Sequence, residues 1–175
     1  MHTAIVALGA NLPGPAGEPA DTLVAAIVRL ESPGHVTACS SLYSTTPVGV
    51  AEQPRFLNAV AVLETELEPL DLLHTLLAIE KEFGRDRSAK IANGPRTLDL
   101  DLLLYENRIL DLPELQLPHP RLAERAFVLI PLAEIAPEVI DPRSGKSAAV
   151  LLTDLRHDAP SVPDSVLKLE DGWPF

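Results

Sequence analysis

The sequence predicts an α+β fold: an antiparallel sheet in the ferredoxin-like order β-α-β-β-α-β, with helices packed on it and a C-terminal extension. Three observations carry this expectation. Short segments are apolar or alternate at strand period, two longer segments repeat apolar residues at helical period, and glycine and proline separate them in that order.

Thr3 to Leu8 alternates weakly and reads as a first, central strand ending at Gly9-Ala10-Asn11. A loop rich in proline and glycine follows, and then a helix of about a dozen residues. Within it Leu23, Ile27 and Leu30 recur at i, i+4 and i+7 as one buried stripe, and Ser32-Pro33-Gly34 stops it. Val36 to Ser44, rich in β-branched and small residues, reads as the second strand and runs into the loop Thr45-Thr46-Pro47-Val48-Gly49. Phe56 to Leu63 alternates as the third. Pro69 suits the first turn of a second helix, where its missing N–H costs nothing. Leu72, Leu76, Ile79 and Phe83 form that helix's core stripe, and Gly84 its C-terminal cap. Leu98 to Tyr105 is the fourth strand. Beyond it, prolines from Pro113 to Pro142 punctuate short elements expected to pack onto the same core. No linker interrupts the chain, so residues 1–175 are expected to form one domain, with a core over about 1–140 and a loosely ordered tail after Ala159.

The chemistry concentrates in Gly94-Pro95-Arg96-Thr97-Leu98-Asp99-Leu100-Asp101. On a strand, Asp99 and Asp101 share one face, and Leu98, Leu100, Leu102 and Leu104 share the other. Two carboxylates roughly 6–7 Å apart on a partly buried face repel and lose hydration unless a positive group stands between them or both face water. A divalent cation fits, and with no Cys or His within three residues the oxygen ligands point to Mg²⁺ or Mn²⁺ rather than Zn²⁺. The plainer alternative is an edge strand whose aspartates face solvent. The preceding loop, Gly84 to Arg96, weighs against it: Arg85, Arg87, Lys90 and Arg96 stand there against Asp86 alone. Guanidinium groups match phosphate oxygens bidentately, so metal ligands beside a cationic loop describe a phosphoryl-transfer site. No Gly-x-x-x-x-Gly-Lys-Ser/Thr occurs, which disfavours a Walker-type kinase.

Composition bounds the partners. Hydrophobic residues make up 46% of the chain, which excludes wholesale disorder. The net charge of −11 argues against a nucleic-acid partner, which needs basic surface. No window reaches the ~20 apolar residues that span a bilayer, and the apolar run Ala4 to Leu8 is too short for a signal peptide. Cys39 is the single cysteine, so no internal disulfide can form. That suits a reducing compartment, and a cytoplasmic monomer is expected.

Four motifs then give a resemblance. Ser44-Thr45-Thr46-Pro47-Val48-Gly49, Gln53-Pro54-Arg55-Phe56-Leu57-Asn58-Ala59, the Gly94 to Asp101 stretch, and Leu117-Pro118-His119-Pro120-Arg121 follow in the order and spacing of the 6-hydroxymethyl-7,8-dihydropterin pyrophosphokinase family. The similarity extends from Ala4 to Pro137. It implies a ferredoxin-like enzyme of folate biosynthesis that transfers pyrophosphate from ATP to the pterin hydroxymethyl group and releases AMP. It also implies two Mg²⁺ ions held by Asp99 and Asp101, with Arg85 and Arg96 adding catalytic charge. Phe56 and Phe127 would stack on the pterin ring, Asn58 bond its edge, and Thr45 and Val48 offer loop backbone to it. Arg85, Arg87, Arg96, His119 and Arg125 would meet the ATP phosphates, with Leu102, Leu115 and Gln116 near the adenine. Read without the resemblance, both phenylalanines are ordinary core, His119 is a surface residue in a proline turn, and Glu80 orients an arginine of the loop. No general base stands out, and Asp101 or metal activation of the hydroxyl both remain open. The chain departs from many family members at Asn93, where they carry tryptophan, and at Leu77 and Ser88, which bears on loop closure. A non-catalytic ferredoxin-like sensor, or another nucleotide-dependent transferase on the same scaffold, is the competing class.

Overall fold

The structure is a computed structural model, described at residues 1–47, 52–88, 92, 94–162 and 165–173. Strand β1 (His2–Ala10) pairs antiparallel with β4 (Phe56–Thr65) on one side and β5 (Asp99–Tyr105) on the other, so it is central as its sequence predicts. Strands β2 (His35–Cys39) and β3 (Tyr43–Thr45) both pair with the far edge of β4, and all these pairings are antiparallel. Helices α1 (Pro19–Leu30) and α2 (Pro69–Glu82) lie where periodicity puts them, each with proline in its first turn. Gly84 ends α2 at φ +82°, a left-handed position that favours glycine.

The predicted second strand is two strands. Ser40 breaks it: its backbone N–H donates to Val60 O at 2.9 Å, while its hydroxyl accepts from Val60 N at 2.9 Å, the place a strand carbonyl would take. A polar side chain satisfies the ladder there, so the backbone is free to turn.

Apolar burial falls into two layers. Ala4, Val6, Leu8 and Ala10 of β1 meet α1 and α2, together with Leu98, Leu100 and Leu102. The opposite face is also covered, by α3 (Ala126–Ile135) and α4 (Ala148–Asp158) against Ile5, Val60, Leu103 and Leu104. The proline-punctuated extension therefore divides: Leu115 and Leu117 join the first core, as expected, while α3 and α4 build a second one. Leu104 was expected beside Leu100 and Leu102 but belongs to this second layer. The register between β1 and β5 slips between Ile5 and Val6, so Ile5 pairs with Leu104 and Val6 with Leu102. Leu103 is the extra residue of a β-bulge, and one added residue reverses the faces of those that follow it.

A short hairpin of β6 (Leu110–Asp111) and β7 (Gln116–Leu117) follows β5. The chain after Ala159, expected to be loosely ordered, adds β8 (Val166–Lys168) to the main sheet beside β3. No described helix is long and apolar enough to cross a membrane.

Candidate functional site

Asp99 and Asp101 open strand β5 opposite Gly9 and Ala7 of β1, on the face away from α1 and α2. Their side chains are 22% and 33% exposed. Arginines neutralise both. Asp99 accepts from Arg96 Nη1 at 3.0 Å and Arg85 Nη1 at 3.5 Å, and Asp101 accepts from Arg125 Nη1 at 3.4 Å. Burial, reinforced by the Asp99 charge and opposed by Arg125, pushes the Asp101 carboxyl up to about 6. Two acids this close retain full charge poorly without more cations, the electrostatic signature of a functional cluster.

The pair divides two clefts. Asp99 faces a small cavity that Gly9, Thr45, Thr46, Phe56, Asn58, Arg96, Arg125 and Phe127 line with it. Asp101 faces a larger, more open cleft, lined also by Leu73, Leu77, Arg87, Leu102, Glu114, Leu115, Gln116 and His119. In the first, Phe56 opens β4 and Phe127 sits in the first turn of α3. An arginine lies against each ring, Arg96 at 5.2 Å from the Phe56 centroid and Arg125 at 5.6 Å from that of Phe127. Asn58 is buried and donates from Nδ2 to Thr45 Oγ1 at 2.7 Å.

Buried polar side chains fix the surroundings. Asn11, 2% exposed, accepts from Arg96 N at 2.9 Å and donates to Gln53 Oε1 and Pro54 O, which ties the arginine's backbone to the start of β4. Glu80, 1% exposed, reaches from α2 to accept from Leu100 N at 2.8 Å, between the two aspartates, and from both Nε and Nη2 of Arg87. Burial raises the Glu80 pKa against the pull of those bonds. His119 Nδ1 accepts from Arg121 N at 3.1 Å, and the His119 backbone N–H donates to Leu103 O at 2.8 Å. Burial and then the nearby Arg125 charge lower the His119 imidazole to about 4, so it is neutral near pH 7.

An imidazole, paired acids and a ring-lined cavity stand at residues that the sequence resemblance singles out. The family model described as 7,8-dihydro-6-hydroxymethylpterin-pyrophosphokinase matches residues 5–137. The chain belongs to this family. A 2-amino-4-hydroxy-6-hydroxymethyldihydropteridine pyrophosphokinase from Pseudomonas aeruginosa is 50% identical over 136 residues, which cover 77% of this chain and 80% of the relative. Its Synechocystis counterpart is 46% identical over 153 residues, 86% of this chain and 75% of the relative. Among solved structures, Plasmodium falciparum HPPK-DHPS with pteroate superposes with a TM-score of 0.73 over 95% of this chain at 13% identity, which speaks to the fold alone. The chain spans 47% of that longer protein.

Within this pyrophosphokinase fold, most of the sequence-predicted residues gather at the divided site. Thr45, Phe56, Asn58 and Phe127 share the smaller cavity, while Arg87, Leu102, Leu115, Gln116 and His119 share the larger cleft. Arg96 and Arg125, expected at the nucleotide, line the smaller cavity, and Arg85 stands behind Asp99 with a second bond to Leu98 O. Val48, Lys90 and Asn93 lie outside the described residues. Gly9, Thr46 and Asn11 were not singled out as site residues. The Gly-Ala-Asn end of the central strand was the available signal, since small residues there allow close approach.

Proposed function

We propose that the chain transfers pyrophosphate from ATP to 6-hydroxymethyl-7,8-dihydropterin, with the acid pair at the boundary between a pterin cavity and a nucleotide cleft. That boundary is the observation that carries the reading: Asp99 faces the ring-lined cavity and Asp101 the larger cleft, so both substrates can meet at one carboxylate pair. The reaction serves folate biosynthesis. The hydroxymethyl oxygen bonds to the β-phosphorus as the bond from that phosphorus to the α,β-bridging oxygen breaks. AMP leaves with the bridging oxygen, and the hydroxyl proton passes to solvent.

Phe56 and Phe127 sandwich the flat ring, Asn58 bonds its edge, and Thr45 and Val48 offer backbone groups to it. Leu102, Leu115 and Gln116 take the adenine, and Arg87, His119 and Arg125 the phosphates. Arg85 and Arg96, already paired with Asp99, turn to the charge that develops on the transferring group. The donor set fits Mg²⁺: two carboxylates, with no cluster of three His, Cys, Asp or Glu among the described residues that would make an all-protein cage. Two such ions between Asp99 and Asp101 would neutralise the phosphates and the departing oxygen. We read the ferredoxin-like core and its extension as one domain, acting as a monomer in the cytoplasm, where a lone cysteine suits the reducing conditions.

The test is product analysis. AMP should form from ATP only when pterin and Mg²⁺ are both present, and Asp99→Ala and Asp101→Ala should lose that turnover while remaining folded. Near-normal activity in either variant would remove it from the mechanism.

A further inference from the structure

We propose that strand β8 and Arg55 form a brace that positions the Thr45-Thr46 rim of the ring-lined cavity, making the C-terminal tail a determinant of pterin affinity. The inference rests on the reading of that cavity as the pterin site. The tail lies beyond residues 5–137, which the family model matches.

The contacts run the length of the rim's supporting strand. Val166, Leu167 and Lys168 of β8 pair with Thr45, Ser44 and Tyr43 of β3. Below that ladder Leu169 N donates to Leu42 O at 2.9 Å and Trp173 Nε1 to Ser40 O at 2.9 Å. Above it Thr46 N donates to Ser165 O at 3.2 Å. The stretch from Ser40 to Thr46 is thus held from one side by the tail and from the other by β4.

Arg55 closes the corner. Its guanidinium donates to Ser44 Oγ at 2.8 Å, to Ser44 O at 3.0 Å, to Thr46 Oγ1 at 2.9 Å and to Ser165 O at 3.3 Å. One planar fork therefore joins β3, the cavity rim and the tail, immediately before Phe56. Without β8, β3 would be a three-residue edge strand paired on one side only, an arrangement that frays. Fraying would move Thr45, whose hydroxyl orients the Asn58 amide. Holding these groups in place before the ligand arrives lowers the ordering cost of binding. The nucleotide cleft has none of these residues in its lining, so the brace acts on one substrate and not the other.

The experiment compares the full chain, a chain ending at Ala159, Arg55→Ala and Arg55→Lys, titrated separately with 6-hydroxymethylpterin and with α,β-methylene-ATP plus Mg²⁺. Circular dichroism and thermal melting report folding. The truncated chain should bind the pterin roughly tenfold more weakly while its nucleotide Kd stays within about twofold. Arg55→Ala should weaken pterin binding in the same selective way, and Arg55→Lys, which keeps the charge but not the planar fork, should fall between it and the full chain. Should the truncated chain not fold, the two Arg55 variants decide. Unchanged pterin binding overturns the brace, and so does equal weakening for both ligands, which would make the tail a general stabiliser. Failure of the full chain to bind pterin at all would instead refute the assignment of the cavity.

Discussion

Glu80 gives the sharpest test of how the acid pair is held. Its carboxylate is 1% exposed and accepts from Leu100 N, the peptide group between Asp99 and Asp101. Glu80→Ala removes that acceptor and leaves a buried N–H without a partner, at a cost of about 1–3 kcal/mol. The bond to Arg87 adds at most about 1 kcal/mol, because the Arg87 side chain is 56% exposed. Glu80→Gln keeps an oxygen for Leu100 and removes a charge whose burial the fold resists. Both variants lose the charge, so the difference between them reports the Leu100 bond together with the buried side-chain volume that Ala gives up, and hydrogen exchange at Leu100 tells the two apart. Urea unfolding of the unliganded protein near pH 7 should place the Ala variant about 1–3 kcal/mol below the Gln variant, with faster hydrogen exchange at Leu100 in Ala alone. The pH dependence has a definite sign. Because burial raises the folded pKa of Glu80, its protonation contributes stability that is fully present below the unfolded carboxylate value and lost as pH rises through the folded one. Glu80→Gln should lack that component. Equal stability of the two variants within about 0.5 kcal/mol would refute the claim that Glu80 anchors β5 through Leu100.

Three further outcomes follow from the same geometry. Asp101→Asn should lower kcat by about a hundredfold or more yet cost under about 1 kcal/mol in the unliganded protein, since it relieves the repulsion that raises the Asp101 carboxyl; steady-state kinetics and urea melts check both. In Gly9→Ala the new Cβ would come within 2.8 Å of Asn58 Oδ1, so the amide must shift; pterin KM should rise about tenfold with nucleotide KM unchanged. Burial, with help from the Glu134 charge, pushes the Cys39 thiol up to about 12, so near pH 8 it carries roughly a thousandfold less thiolate than an exposed cysteine. Iodoacetamide should alkylate it correspondingly slowly in the folded state and at the normal rate in urea.

The sequence by itself determined the elements whose period is uninterrupted. Pro69 and Gly84 bracket α2, alternation marks β4, and two aspartates two residues apart on a strand had to share a face. These are properties of neighbours along the chain, so local sterics and periodicity suffice to read them. Tertiary structure decided what depends on distant partners. The bulge at Leu103 follows from how β5 meets β1, and it sends Leu104 to the layer of α3 and α4. Phe127 faces the same cavity as Phe56 because α3 packs over the second face of the sheet, a placement that no spacing between them encodes. Arg96 lines the smaller cavity beside Asp99, the carboxylate it neutralises, and Arg125 lines it while reaching Asp101 at the boundary with the larger cleft. Charge pairing and apolar burial across the sheet select among the many positions that a loop arginine or a helix phenylalanine could take, and both act only once the strands are in register.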